Sequence, residues 1–479
     1  MNAGRRASLI SGYSVVIGLL VSLILLAAGP SLRALLLIGI ILSLTAPLCL
    51  RAILGQLDLF EPVVLANIAM GVMFIGRPIA DLLTGQFDHI GYDVRPTFDE
   101  ALVVALIGIM FLQFGYFSTI GTRMARYFPA PAWRFNPVVL ATAAWASLVF
   151  GTILFWMFLQ QQGGMELFLL LLGGRRPEDN ELYLQSTGYL YNGPLMWSVS
   201  ALLFFSAAVI TRRLSYYLYF IAVSTCFLIL YGAQGTRSNL LYIVVTIPVF
   251  WYLWKNRRPR LWTVLIAVVI GFSLLGWLRE IRTAGEGDNV IGVLTQSLAS
   301  PVTETAEILT GADAEMFDSL ANELLVVPDK LPYMHGSTVT DIFVRAVPRP
   351  LWPDKPLEAN DAVVATLWPV HYSLSRAGPA SSLIGPFYAD SGLPTVMFGM
   401  FLVGAVFALL WRWFQRNSNL VIAQLVYSTA LPFVIILMRG AIPDTLARAL
   451  FFVVPLLFLS LLVLFRHRVV SLSRVQRNP

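Results

Sequence analysis

Hydrophobic positions in this chain come less as single periodic stripes than as long runs. A bilayer core takes about 20 predominantly apolar residues per helix. Runs of that kind fall at 9–28, 34–51, 61–82, 101–121, 137–160, 193–211, 214–232, 238–254, 261–280, 393–411, 419–438 and 446–465. The pattern predicts an all-α polytopic membrane protein with about 12 transmembrane helices. Arg77, Pro78 and Asp81 interrupt the third run. Arg5 and Arg6 precede a first run with no small-residue cleavage site at its end, so the first span is expected to be retained.

One long hydrophilic stretch breaks this series between the ninth and tenth runs. It divides the chain into residues 1–281 (spans one to nine), 282–392 (a large outer loop of roughly 110 residues, near the size of a small domain) and 393–479 (three spans and a basic tail). Its centre reads Val347-Pro348-Arg349-Pro350-Leu351-Trp352-Pro353-Asp354-Lys355-Pro356. Proline fixes φ and removes a backbone donor, so this run forms neither a regular helix nor a central strand. Around it the spacing predicts helices over 303–325, broken near Gly311, over 338–346 with Ser337 as N-cap, and over 361–367 capped by Asn360. A turn-rich strip at 373–379 and the segment 381–392 lead into the next span. Two shorter outer segments cover 84–99, with Asp88, His89, Asp93 and Arg95, and 161–192, with an interfacial apolar patch over Met165–Leu172.

Composition agrees with the pattern: 57% of residues are hydrophobic and 13% charged, against about 45–50% and about 25% in soluble domains. The net charge of +6 points to no nucleic acid, because the charges sort by side of the membrane. With the N-terminus in the cytoplasm, clusters such as Arg123/Arg126, Arg212/Arg213, Lys255–Arg260, Arg412/Arg416 and Arg466/Arg468 all fall inside, and of the acids only Asp58 and Glu61 join them. Both termini are therefore expected in the cytoplasm. Cys49 and Cys226 lie in apolar runs and offer no disulfide framework.

The turn Gly232-Ala233-Gln234-Gly235-Thr236-Arg237-Ser238-Asn239 opens a span at the outer face. Backbone N–H groups at a helix start together with a guanidinium suit phosphate oxygens; a tight hairpin with an arginine among headgroups accounts for the same residues. Arg77 and Arg439 stand at outer helix ends beside Pro78 and Gly440, and look more informative than Arg448. The first part of the large stretch is acidic, and includes Glu304 and Glu307 one helical turn apart. Its second part carries Arg345, Arg349, Lys355 and Arg376, while Arg279 and Arg282 mark the exit of the ninth span. Folding the two parts together would make a phosphate site with a carboxylate base, and ordinary ion pairing in a solvated segment is the plainer outcome. Glu304 or Glu307 is a candidate base or part of a solvated helix face, and His335 in a loop is the alternative base. Trp352 and Tyr388 suit either stacking on a sugar ring or anchoring at the interface. No metal-ligand spacing and no nucleotide-binding glycine pattern occurs, so neither a metal nor a cofactor is expected.

Three features together carry a resemblance: the Gly235-Thr236-Arg237-Ser238 turn opening a span, the late outer loop with VPRPLWPDKP, and SSLIGPFYADSGLPTVMFGMFLVGAV entering the next span. In these the chain resembles the bacterial Wzy-type oligosaccharide repeat-unit polymerases that build O-antigen and exopolysaccharide. Specific motifs cover about Gly232 to Gly404, and the topology covers most of the chain. Pro386 and Pro394 depart from the family pattern, so no carboxylate role transfers to that motif. The resemblance implies a C-type glycosyltransferase-like helical fold in the bacterial inner membrane with its active site facing the periplasm. It implies undecaprenyl-pyrophosphate-linked oligosaccharides as donor and acceptor, and a flippase and a chain-length regulator as partners beside the bilayer itself.

That chemistry needs guanidinium groups set in place to stabilise the pyrophosphate leaving group, and a base for the acceptor hydroxyl. The expected pyrophosphate and glycan contacts are Arg237, Arg279, Arg282, Arg345, Arg349, Lys355, Arg376, Arg439, Trp352 and Tyr388, and the expected bases are Glu304, Glu307 or His335. An O-antigen ligase, which shares carrier and face, and a non-enzymatic polytopic transporter or lipid flippase are the alternatives. No internal repeat divides the chain into the similar halves common in transporters.

Overall fold

The computed structural model describes residues 31–128, 136–172, 188–234, 236–260, 263, 314–347, 352, 354–375, 378–379 and 381–475. Among these the chain is almost wholly helical. Nine helices are long and apolar enough to cross a bilayer: Leu32–Ile53, Pro62–Thr84, Arg95–Met124, Pro137–Gln161, Tyr189–Thr211, Leu214–Ala233, Leu393–Asn417, Val421–Arg439 and Ile442–Leu459. Large side chains such as Phe114, Trp145, Ile153, Leu218, Phe398 and Val406 stay exposed along them, which suits a lipid surface rather than water. The chain is therefore a multi-pass helical membrane protein. A tenth apolar helix, Ser238–Trp254, is shorter, and the runs expected at 9–28 and 261–280 lie outside the described residues, apart from 263.

Local sequence explains where helices start and turn. Ser31 accepts a hydrogen bond from the Ala34 N–H at 3.2 Å, and Asn136 caps a helix that opens with Pro137. The interrupted third run is a single bent span: Pro62–Gly71 passes through a π-helical turn at Val72–Gly76 into Arg77–Thr84, a common cause of helix bending. Beyond it Asp88–His89 and Tyr92–Asp93 pair as a minimal antiparallel hairpin.

Helices Phe98–Phe117 and Leu393–Asn417 approach backbone to backbone. A Cβ on Gly115 would lie 1.9 Å from the Phe401 carbonyl oxygen, and one on Gly404 would lie 2.1 Å from that of Leu112. Small residues that let backbones touch are the usual device for helix packing in lipid.

The described part of 282–392 does not stand apart from the spans. Helix Met316–Leu324 is buried at all nine positions, and Phe317 packs edge-on against Phe98 at 4.9 Å and Phe74 at 6.4 Å between ring centroids. One continuous core runs from the span residues Val63, Phe98 and Met400 through Phe317 and Leu320 to Phe387. Helices Ser337–Ala346, Ala359–Leu367, Pro369–Ser375 and Ile384–Ser391 complete the segment.

Two capping expectations are corrected. Ser337 is the first helical residue and not the N-cap; the cap comes from Asp390, whose carboxylate accepts the N–H groups of Gly336 (2.9 Å) and Thr338 (3.0 Å). Asn360 likewise lies inside its helix. There Asp341 accepts the Ala359 N–H at 2.8 Å, and Asn360 instead receives the Ser381 hydroxyl at 2.8 Å. In both places the cap is a carboxylate from a neighbouring helix. The strip expected as turns at 373–379 begins as helix through Ser375.

Candidate functional site

The polar side chains around the described part of 282–392 fall into three groups. The first surrounds Met316–Leu324, a buried helix that carries four polar residues, Asp318, Ser319, Asn322 and Glu323, each needing a partner. Asp318 takes Arg77, with Nε 2.6 Å from Oδ2, and Arg77 also reaches Asp81 at 3.2 Å. Asn322 meets His89 Nδ1 at 2.6 Å, and His89 Nε2 lies 3.5 Å from Glu315. Glu323 has no such partner: its Oε2 is buried without a hydrogen bond and sits where a Cβ on Gly385 would be, 2.1 Å away. Burial pushes the Glu323 carboxyl up to about 8.

The second group joins three distant pieces of chain. Arg448 reaches the helix start after the Gly-Thr-Arg-Ser turn, with Nη1 3.4 Å from Ser238 Oγ and 3.1 Å from Asn239 Oδ1. Its Nε lies 3.0 Å from Asp444. Asp444 in turn receives Arg345 Nη2 at 2.8 Å, and Arg345 Nη1 bonds Glu358 at 2.9 Å. Arg345 ends the helix that delivers the proline-rich run, and Lys355, at the far side of that run, folds back to the carbonyls of Val344 and Val347, each at 3.3 Å. The Tyr189 hydroxyl donates to the Arg345 carbonyl, and Tyr191 donates to Gln234. The helix start after the turn and the end of helix Ser337–Ala346 are thus joined at one end of the bundle by a single network.

The third group lies at the other end of the same helix. His335 is exposed, and its Nδ1 is 2.9 Å from Ser391 Oγ. Ser391 donates to Asp390 Oδ1 at 3.0 Å. Burial alone would push the Asp390 carboxyl up, but the hydrogen bonds from Thr338, Gly336 and Ser391 outweigh it and hold the group below the usual carboxylate range.

The expected site residues fare differently. Arg237 is the first residue of helix Arg237–Val244, beside the network that Arg448 makes. Arg345 pairs with Glu358 and Asp444, and Lys355 bonds backbone carbonyls that end a helix. Tyr388 is corrected from sugar platform to core residue, since it is 6% exposed and donates to Glu100 at 3.2 Å. Trp352 is 41% exposed beside the proline-rich run. Arg439 closes helix Val421–Arg439 and is half-buried. Arg279, Arg282, Glu304, Glu307, Arg349 and Arg376 lie outside the described residues.

Acidic and basic parts of the large stretch do not pair with each other among the described residues. Asp318 and Glu315 turn to Arg77 and His89 on the spans, and Arg345 turns to Glu358 and Asp444. In the sequence Arg448 stands only as a less informative cation at a helix end, and Asp444 is not marked at all. Their i,i+4 spacing at a helix start was the available signal. Asp390 was also missed, and nothing local marks it as a cap for a helix fifty residues earlier in the chain. Among the described residues, no three His, Cys, Asp or Glu side chains converge on a point that would hold a metal ion.

Comparison with protein-family models, with curated proteins and with solved structures returned no match.

Proposed function

We propose that this chain is a polysaccharide polymerase of the bacterial inner membrane that joins undecaprenyl-pyrophosphate-linked oligosaccharide repeat units at the periplasmic face. One observation carries the reading: the Gly-Thr-Arg-Ser turn and the helix leading into the proline-rich run, far apart in sequence, are tied together through Arg448, Asp444 and Arg345. The turn and the run are two of the three features in which the chain resembles repeat-unit polymerases. Two such segments meeting at one end of a helical bundle suit a substrate whose lipid lies in the bilayer and whose pyrophosphate sits at the interface.

In the reaction the acceptor hydroxyl of one repeat unit attacks the anomeric carbon of the growing chain. The bond to the lipid pyrophosphate breaks, and charge develops on the leaving phosphate. Cations held beforehand stabilise that charge. Arg237 and Arg349 are the leading residues for it, with Arg279, Arg282, Arg376 and Arg439 in support. A carboxylate or histidine, from Glu304, Glu307 and His335, takes the hydroxyl proton.

Cells carrying Arg237→Ala or Arg349→Ala, with the protein still at normal level in the membrane, are expected to lose long polymer and keep single attached repeats. Unchanged chain length in both strains would remove the assignment. Loss of all attachment, in place of single repeats, would point to a ligase.

A further inference from the structure

We infer that His335 Nε2 is the base that deprotonates the acceptor hydroxyl, with Ser391 and Asp390 as positioning residues that fix its tautomer. The inference rests on the polymerase reading above and goes further by choosing among the three candidate bases.

The argument is a count of donors. A serine hydroxyl has one proton to give and two lone pairs to accept with. Asp390 is ionised: its two oxygens already take the Gly336 and Thr338 N–H groups at 2.9 and 3.0 Å, and it has no proton to offer. The Ser391 proton therefore goes to Asp390 Oδ1, 3.0 Å away. The remaining contact, 2.9 Å between Ser391 Oγ and His335 Nδ1, then requires Nδ1–H as the donor. In the neutral imidazole the lone pair is left on Nε2. The ring is exposed, so that lone pair is open to a substrate.

Asp390 caps the first turn of the helix after His335 and, through Ser391, reaches the imidazole. The helix Ser337–Ala346 has ten residues and rises about 15 Å. His335 precedes it and the proline-rich run follows it. His335 and the Arg345–Asp444 pair thus lie at opposite ends of this helix. The titratable groups facing the imidazole are Tyr333, whose ring centroid is 6.2 Å away, and Asp390 through Ser391.

The step balances without a co-reactant. The acceptor O–H proton passes to Nε2, and the acceptor oxygen forms the bond to the anomeric carbon. The carbon–oxygen bond to the lipid pyrophosphate breaks, and its electron pair leaves with the phosphate.

The test uses full-length purified protein in liposomes with synthetic lipid-linked repeat units, followed by turnover against pH. His335→Gln should lower kcat by about 100-fold or more with little change in KM, and should abolish the acid limb that imidazole protonation produces. Ser391→Ala should lower kcat and displace the acid limb, and Ser391→Thr should restore both. His335→Gln that keeps the wild-type rate and acid limb overturns the assignment and leaves the polymerase reading intact. Wild-type protein that lengthens nothing overturns both. A loss of rate in Ser391→Ala that Ser391→Thr does not restore, with the acid limb in place, overturns the positioning role.

Discussion

Arg345 Nη2 lies 2.8 Å from Asp444 Oδ1, joining the end of the helix before the proline-rich run to the start of the last transmembrane helix. Asp444 also holds Arg448, at 3.0 Å. About a third of each Arg345 and Asp444 side chain is exposed, so solvent screening leaves such a pair worth roughly 0–1 kcal/mol. Asp444→Ala is therefore expected to cost only about 1–2 kcal/mol of stability across both pairs. Polymer formation should fall by more than tenfold, because two parts of the site lose their common tie. A melt and a chain-length assay on one preparation check this; a large loss of stability with normal specific activity would contradict it.

The Arg77 cluster behaves differently because it is buried. Asp318 is about 1% exposed and Asp81 about 3%. Removing the shared guanidinium leaves two buried carboxylates without their cation, a change that costs about 3–5 kcal/mol for a buried pair. Arg77→Ala should therefore lower the melting temperature in detergent sharply, and Asp318→Asn less so. Equal melting of wild type and Arg77→Ala would show that this ion pair does not anchor helix Met316–Leu324.

Glu323 gives the protein a pH-dependent stability. Its folded-state pKa, near 8, is raised above the ordinary 4.5, so the folded chain keeps a proton that the unfolded chain has released. The stabilisation is complete below about pH 4.5 and is lost as pH rises to about 8, by up to about 1.4 kcal/mol per pH unit. Glu323→Gln should remove that share of the slope and be more stable than wild type at pH 8. Parallel melting curves against pH for the two proteins would show that this carboxyl ionises freely in the fold.

Helix contact at Gly115 and Gly404 sets a steric limit. Overpacking usually costs about 1–3 kcal/mol, and here the clash is with carbonyl oxygens that no rotamer change relieves. Gly404→Leu should give little monodisperse protein on size exclusion, while Gly71→Ala, whose Cβ would meet only Ile75 at 3.9 Å, should be tolerated far better.

The spans were legible because lipid imposes a one-dimensional rule, a long apolar run, that no tertiary contact overrides. Partner choice was not legible. Arg77 reads as a cation beside a helix-loosening proline at the membrane edge, yet its partner Asp318 is 241 residues away. Arg345 and Lys355 read as cations free for phosphate, and the fold commits them to Glu358, Asp444 and two carbonyls. Tyr388 reads as an interface aromatic until Glu100, on another helix, supplies the acceptor that lets it be buried. In each case residue type and position were plain, and the missing information was a contact between distant parts of the chain.

One reaction separates a polymerase from a transporter. Purified protein in sealed liposomes, given undecaprenyl-pyrophosphate-linked repeat units and no ion or pH gradient, should lengthen them into a ladder and release undecaprenyl pyrophosphate. Arg237→Ala should abolish both products. Redistribution of the lipid across the bilayer with no new glycosidic bond would contradict the account and mark the protein as a transporter.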